Sequence, residues 1–73
     1  MNRDWENISN QRYYSVNLIK DLLGDWIITK TWGSKSRRGR TKVVYCHSYE
    51  NGIKMIEKLS LARKRHGYDL SSI

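Results

Sequence analysis

Apolar and polar residues alternate over 12–19, Arg-Tyr-Tyr-Ser-Val-Asn-Leu-Ile. Tyr14, Val16 and Leu18 fall on one side and Tyr13, Ser15 and Asn17 on the other. A period of two marks a β-strand with one buried face. Lys20-Asp21-Leu22-Leu23-Gly24 follows as a loop, in which Gly24 is free to take a positive φ. Residues 25–34 read as a second strand, with Trp26, Ile28, Lys30 and Trp32 on one side and Ile27, Thr29 and Thr31 on the other. Both sides carry apolar or β-branched groups, so the pattern leaves open which one meets the core. Residues 35–39 turn, with Gly39 as the expected positive-φ position of a hairpin. Residues 40–47 give a third strand of strong β-formers, Thr41, Val43, Val44 and Tyr45.

The period then changes. Ser48 fits an N-cap, and Glu50 in the first turn suits the helix dipole. Asn51 stands where a capping box would want Glu or Gln. The helix is expected to run to about His66. Gly52, Met55, Ile56, Leu59, Ala62 and the stem of Arg63 share one stripe at 3.6-residue spacing. Lys54, Glu57, Lys58, Leu61, Lys64 and Arg65 lie off it. Gly52 costs about 1 kcal/mol against Ala in a helix interior, and it would allow close approach to a sheet. Gly67 is a natural stop after a cationic last turn, and Tyr68-Asp69-Leu70 offers a return to the sheet.

Residues 1–11 are polar, rich in Asn and without a period, and are read as a mobile N-terminal tail. Trp5 is the exception; packing back on the domain and exposure both fit it. Residues 71–73 are read as a C-terminal tail, which leaves a domain at 12–70. Strand, strand, strand, helix predicts a small α+β fold, a twisted antiparallel sheet with one α-helix packed on a face.

Seventy-three residues leave room for one small domain and no second core. Fourteen Lys and Arg against seven Asp and Glu give a formal net charge of +7, which favours polyanionic partners. Clustering sharpens that reading, because eight of the fourteen cations sit in 35–42 and 63–65. Trp32-Gly33-Ser34-Lys35-Ser36-Arg37-Arg38-Gly39-Arg40-Thr41-Lys42 puts five cations into eight residues with no acid among them. Such a turn must face water or an anion, since its charges repel one another unless screened. The candidate nucleic-acid-binding residues are therefore Trp32, Gly33, Lys35, Arg37, Arg38, Arg40 and Lys42, with Lys64 and Arg65 as a secondary phosphate contact. Arg63-Lys64-Arg65 also fits simple pairing with the helix dipole.

Other chemistry is weakly supported. The single cysteine, Cys46, cannot form an intrachain disulfide and suits a reducing compartment; beside Val44 it reads as a small core hydrophobe. His47 and His66 are far apart, and no Cys/His spacing suggests a metal. No Ser-His-acid set, phosphate-cradling glycine loop or carboxylate pair can be assembled, so a non-enzyme without catalytic residues or cofactors is expected. The N-terminus lacks the apolar core of a secretion signal. The longest apolar run, Val43-Val44-Tyr45-Cys46, is far short of the ~20 residues a membrane span needs. A cytoplasmic monomer is expected.

Arg12-Tyr13-Tyr14, Asp21-Leu22-Leu23-Gly24-Asp25-Trp26, Trp32-Gly33, Arg38-Gly39 and Arg63-Lys64-Arg65-His66-Gly67-Tyr68, in that order and spacing, resemble the WGR domain. That family is named for a Trp-Gly-Arg signature and occurs in poly(ADP-ribose) polymerases and as short stand-alone bacterial proteins. The resemblance covers roughly residues 12–70. It implies a twisted antiparallel sheet with one helix, and nucleic-acid binding, especially near DNA ends or breaks. By position, Trp32 matches the signature Trp, which packs on the sugar-phosphate backbone near a strand end. Gly33 matches the signature Gly, and Lys42 resembles the basic residue that closes the same hairpin and meets phosphate. Ser34 stands where the signature has Arg, and Ser36 where many members have Gly.

DNA is the favoured partner. A protein-interaction adaptor for an acidic partner competes, because the same domain makes interdomain contacts in larger family members. Single-stranded RNA is a third reading, with Tyr13, Tyr45 and Tyr49 as stacking platforms; sheet packing explains those tyrosines as well. A membrane surface is the weakest fit, since the helix's cations lack a strong exposed apolar face.

Overall fold

Alternation along 12–19 decides the architecture. Tyr14, Val16 and Leu18 are buried, and the residues between them are not. A computed structural model of the chain describes residues 1–36 and 38–70. Five strands and one helix follow in order: β1 (Asn2–Asn7), β2 (Arg12–Lys20), β3 (Trp26–Ser34), β4 (Arg40–Tyr45), α1 (Tyr49–Arg65) and β5 (Asp69–Leu70). The strands form one antiparallel sheet in the order β4-β3-β2-β1-β5. The helix packs on one face, so the α+β expectation holds, with two strands more than the sequence pattern predicts.

Register settles which side of β3 faces the helix. Leu18 pairs with Ile28, which pairs with Val44; Tyr14 pairs with Trp32, which pairs with Arg40. Directly paired residues share a face, so Trp26, Ile28, Lys30 and Trp32 lie on the helix side. Val16, Leu18, Ile28, Cys46 and Ile56 fill the centre of the core, and Trp5 and Tyr14 extend it toward β1. The α1 N-terminus is built as expected: Asn51 N–H donates to the Ser48 hydroxyl at 3.1 Å. Leu61 is 63 % exposed, as an off-stripe position should be.

Three expectations need correction. Residues 1–11 are not a tail: Asn2–Asn7 pairs with the full length of β2, and Trp5 is 3 % exposed, edge-on to Tyr14. The strand escapes a pattern reading because only Trp5 is apolar on its helix side. Its neighbours there are Arg3, which donates to the Ser60 hydroxyl, and buried Asn7. Asn7 is tolerated inside because Nδ2 donates to the His66 carbonyl and Oδ1 accepts from Ser9. The third strand stops at Tyr45, two residues early, where His47 takes a φ of 69° and turns the chain toward the helix. Gly39 does not have a positive φ; among the glycines only Gly24 and Gly67 do. The expected tail at 71–73 lies outside the described residues.

Gly52 sets how closely α1 sits on β2. A Cβ there would stand 2.6 Å from Leu18 Cδ1 and 2.9 Å from Cδ2, and Leu18 is 1 % exposed with no room to step aside. Gly52→Ala gains about 1 kcal/mol of helix propensity but meets an overpacking cost of about 1–3 kcal/mol. The expected outcome is a thermal midpoint lowered by several degrees; a raised midpoint would show that Leu18 can yield. Cys46 supplies a second test. Burial pushes its thiol above the ordinary 9.0, partly opposed by a backbone hydrogen bond at Ile28. At pH 8 its reaction with a thiol reagent should be at least about 100-fold slower in the native protein than in denaturant. Equal rates would mean that the strand end is open.

Candidate nucleic-acid interface

The helix covers one end of the sheet face and leaves the other to aromatic and cationic side chains. At that end Tyr14 and Trp32, register partners on β2 and β3, stack with ring centres 6.1 Å apart and planes at 20°. The C-terminus of α1 ends above them in a Schellman motif. Tyr68 N–H donates to the Arg63 carbonyl at 2.9 Å and Gly67 N–H to the Lys64 carbonyl at 3.1 Å, with Gly67 at φ 85°. This reversal returns Tyr68 to the same end as Arg63. The Arg63 guanidinium lies 4.5 Å from the Tyr14 ring centre and 5.3 Å from that of Tyr68. Its charge is held by ring faces, and its buried Nε has no hydrogen-bond partner among the described residues.

These groups enclose a hollow of about 360 Å³. Arg12, Arg38, Arg40 and Arg63 line it with Tyr14, Trp32 and Tyr68, and Gly33 and Ser34 complete the wall. Arg40 comes from the β4 position paired with Trp32, and Arg12 from the β2 position paired with Ser34. No acid is among the described lining residues. Burial raises the Tyr14 phenol above its ordinary 10.0, with Arg63 pulling it down and Tyr68 raising it. The phenol is therefore neutral at physiological pH, and the fixed charge of the hollow is cationic.

The hairpin that carries Trp32 closes on a glycine pair. A Cβ on Gly33 would stand 2.8 Å from Gly39 Cα, and one on Gly39 would overlap Tyr13 Oη and stand 3.0 Å from the Trp32 carbonyl. Tyr13 thus fills the outer side of the hairpin base. Gly39 is needed for lack of a side chain rather than for a positive φ.

Of the residues expected from sequence, Trp32, Gly33, Arg38 and Arg40 line the hollow. Lys42 lies two positions beyond Arg40 on the same face of β4. Lys35 is exposed in the turn, and Arg37 lies outside the described residues. Lys64 lines a different hollow, with Arg3, Trp5 and Ser60 on the β1 flank. Arg65 is exposed and joins neither. Arg12, Tyr14, Arg63 and Tyr68 were not among the expected residues. Only pairing register brings Arg12 and Tyr14 to this end, and only the turn after α1 brings Tyr68. Arg63 carried a signal, a cation on the buried stripe, but the apolar contact of its stem explained it fully. The three tyrosines considered as platforms do not share a surface. Tyr13 and Tyr45 stand at opposite ends of the outer face, and Tyr49 packs edge-on to Trp26 beside the helix.

A family profile, the WGR domain, matches residues 1–72. Searches of curated proteins and of solved structures gave no match. The match covers nearly the whole chain, including the N-terminal strand. The chain belongs to the WGR domain family, which is known in general terms for binding nucleic acid.

Proposed function

We propose that this WGR domain binds DNA through its sugar-phosphate backbone, strand ends included, with the arginine-lined hollow beside Trp32 as the seat. The observation that carries the reading is the convergence of four arginines on a stacked Tyr14–Trp32 pair without an acid among them. Guanidinium groups present forked donors matched to phosphate oxygens. An indole at the rim offers a face to a sugar or base, and such contacts contribute about 1–3 kcal/mol each. Ser34 lacks the signature cation, but Arg12 stands directly across from it and supports charge at the same place. Contacts to phosphate and sugar carry no sequence information, so affinity is expected to be largely independent of sequence. The domain acts by binding, without turnover; guanidinium donors and aromatic rings suit that role. The stacked rings favour a nucleic acid over a purely acidic protein partner.

The test is fluorescence anisotropy on blunt duplex, nicked duplex and single strand across a salt series. With five to seven phosphate contacts, log K should fall against log salt with a slope of about −4 to −6. Trp32→Ala should weaken binding about tenfold or more. Salt-independent binding, or an unchanged Trp32→Ala variant, would overturn the reading. Charge reversal at Arg38 and Arg40 should weaken binding more than the same change at Lys64 and Arg65. The opposite ranking would move the main surface to the β1 flank.

A further inference from the structure

The arginine hollow is one end of a longer basic surface. The helix lies across β2 and β3, and the helix-side positions of β4 beside it, Arg40 and Lys42, are exposed. On that shoulder Lys30 of β3 and Lys42 of β4 are direct register partners. Like charges so placed destabilise a sheet. Across from them, Lys54 and Lys58 stand one helical turn apart, where like charges also repel. Both lysines line a shallow hollow with Tyr45, Cys46 and His47 at the far end of β4.

None of the seven acids lies on β3 or β4. Asp4, Glu6 and Asp69 lie on β1 and β5, on the sheet face away from the helix. Asp21 and Asp25 close the β2–β3 loop on each other's backbone and side chain. Glu50, four residues before Lys54, and Glu57, three after it, neighbour Lys54 on the side of the helix turned away from the sheet, whereas Lys58 has no acid three or four residues away. Lys30, Lys42 and Lys58 therefore line the strip between β4 and the helix with no acid among them, and Lys54 adds its charge beside Lys58; an external polyanion would stabilise that arrangement.

We propose that this shoulder is the path of one nucleic-acid strand leaving the arginine hollow, with Lys30, Lys42, Lys54 and Lys58 as its phosphate contacts. The strand runs along β4 from Arg40 toward Tyr45. Five residue steps at ~3.3 Å make the path about 17 Å long, or about five nucleotides at a rise of 3.4 Å. The shoulder tracks backbone and reads no sequence. This inference rests on the proposed function and adds contacts to the same site.

The test uses a duplex with a single-strand extension of zero to eight nucleotides, measured with wild type, Arg40→Gln and the double variant Lys54→Gln, Lys58→Gln. Lys54 and Lys58 are exposed, so thermal midpoints should match, and circular dichroism checks this. Wild-type affinity should rise with extension length and level off near five nucleotides. The double variant should lose about tenfold in affinity on long extensions, with a salt slope shallower by about two. It should lose little on the blunt duplex. A double variant within twofold of wild type on every probe, while Arg40→Gln still weakens binding, would overturn the shoulder and leave the hollow standing. Failure of wild type to bind any probe at low salt would instead overturn the proposed function, and this inference with it.

Discussion

Arg63 joins the core to the candidate interface. Its stem belongs to the helix stripe that packs on the sheet, and its guanidinium is held between the rings of Tyr14 and Tyr68. Tyr14 in turn stacks on Trp32 and meets Trp5 edge-on. One cation thus fixes the helix C-terminus, the short return strand and the aromatic pair at the rim. Held by π-faces, which leave its formal charge uncompensated, it is both a packing element and a source of positive potential. A carboxylate partner would have secured the same geometry and removed that potential.

The parts of the fold legible in the sequence are those where burial and periodicity coincide. Val16 and Leu18 alternate with polar residues, and Gly52 and Ile56 recur at helical spacing; each is buried as its position demands. The N-terminal strand was not legible because two of its three helix-side positions are polar. Arg3 and Asn7 are satisfied by Ser60 and His66, partners more than fifty residues away, and no local pattern records a hydrogen bond at that range. Gly39 shows a related limit. A glycine in a turn suggests a positive φ, but here the constraint is the space taken by Tyr13 from the neighbouring strand.

The candidate site divides in the same way. The basic hairpin is contiguous in sequence, and it was visible. Arg12, Tyr14, Arg63 and Tyr68 come from three separate segments and meet only through register and the turn after the helix. Ser34 illustrates why this matters. Along the chain it is a lost cation, whereas across the sheet it faces Arg12. Charge at a given place on a sheet can be supplied from either strand, so a signature read along one strand under-reports it.

Placement of three of the seven acids behind the sheet also bears on association rate. At physiological ionic strength a charge is screened over about 8 Å, while the thinnest dimension of the domain is 18 Å. A phosphate approaching the helix side therefore feels the lysines and arginines there and little of Asp4, Glu6 and Asp69 behind the sheet. The effective charge of that side exceeds the share that a net +7 spread over the surface would give it. The same asymmetry turns the domain in the field of a polyanion before contact. Productive encounters are then a larger fraction of collisions, a kinetic gain that falls as salt rises.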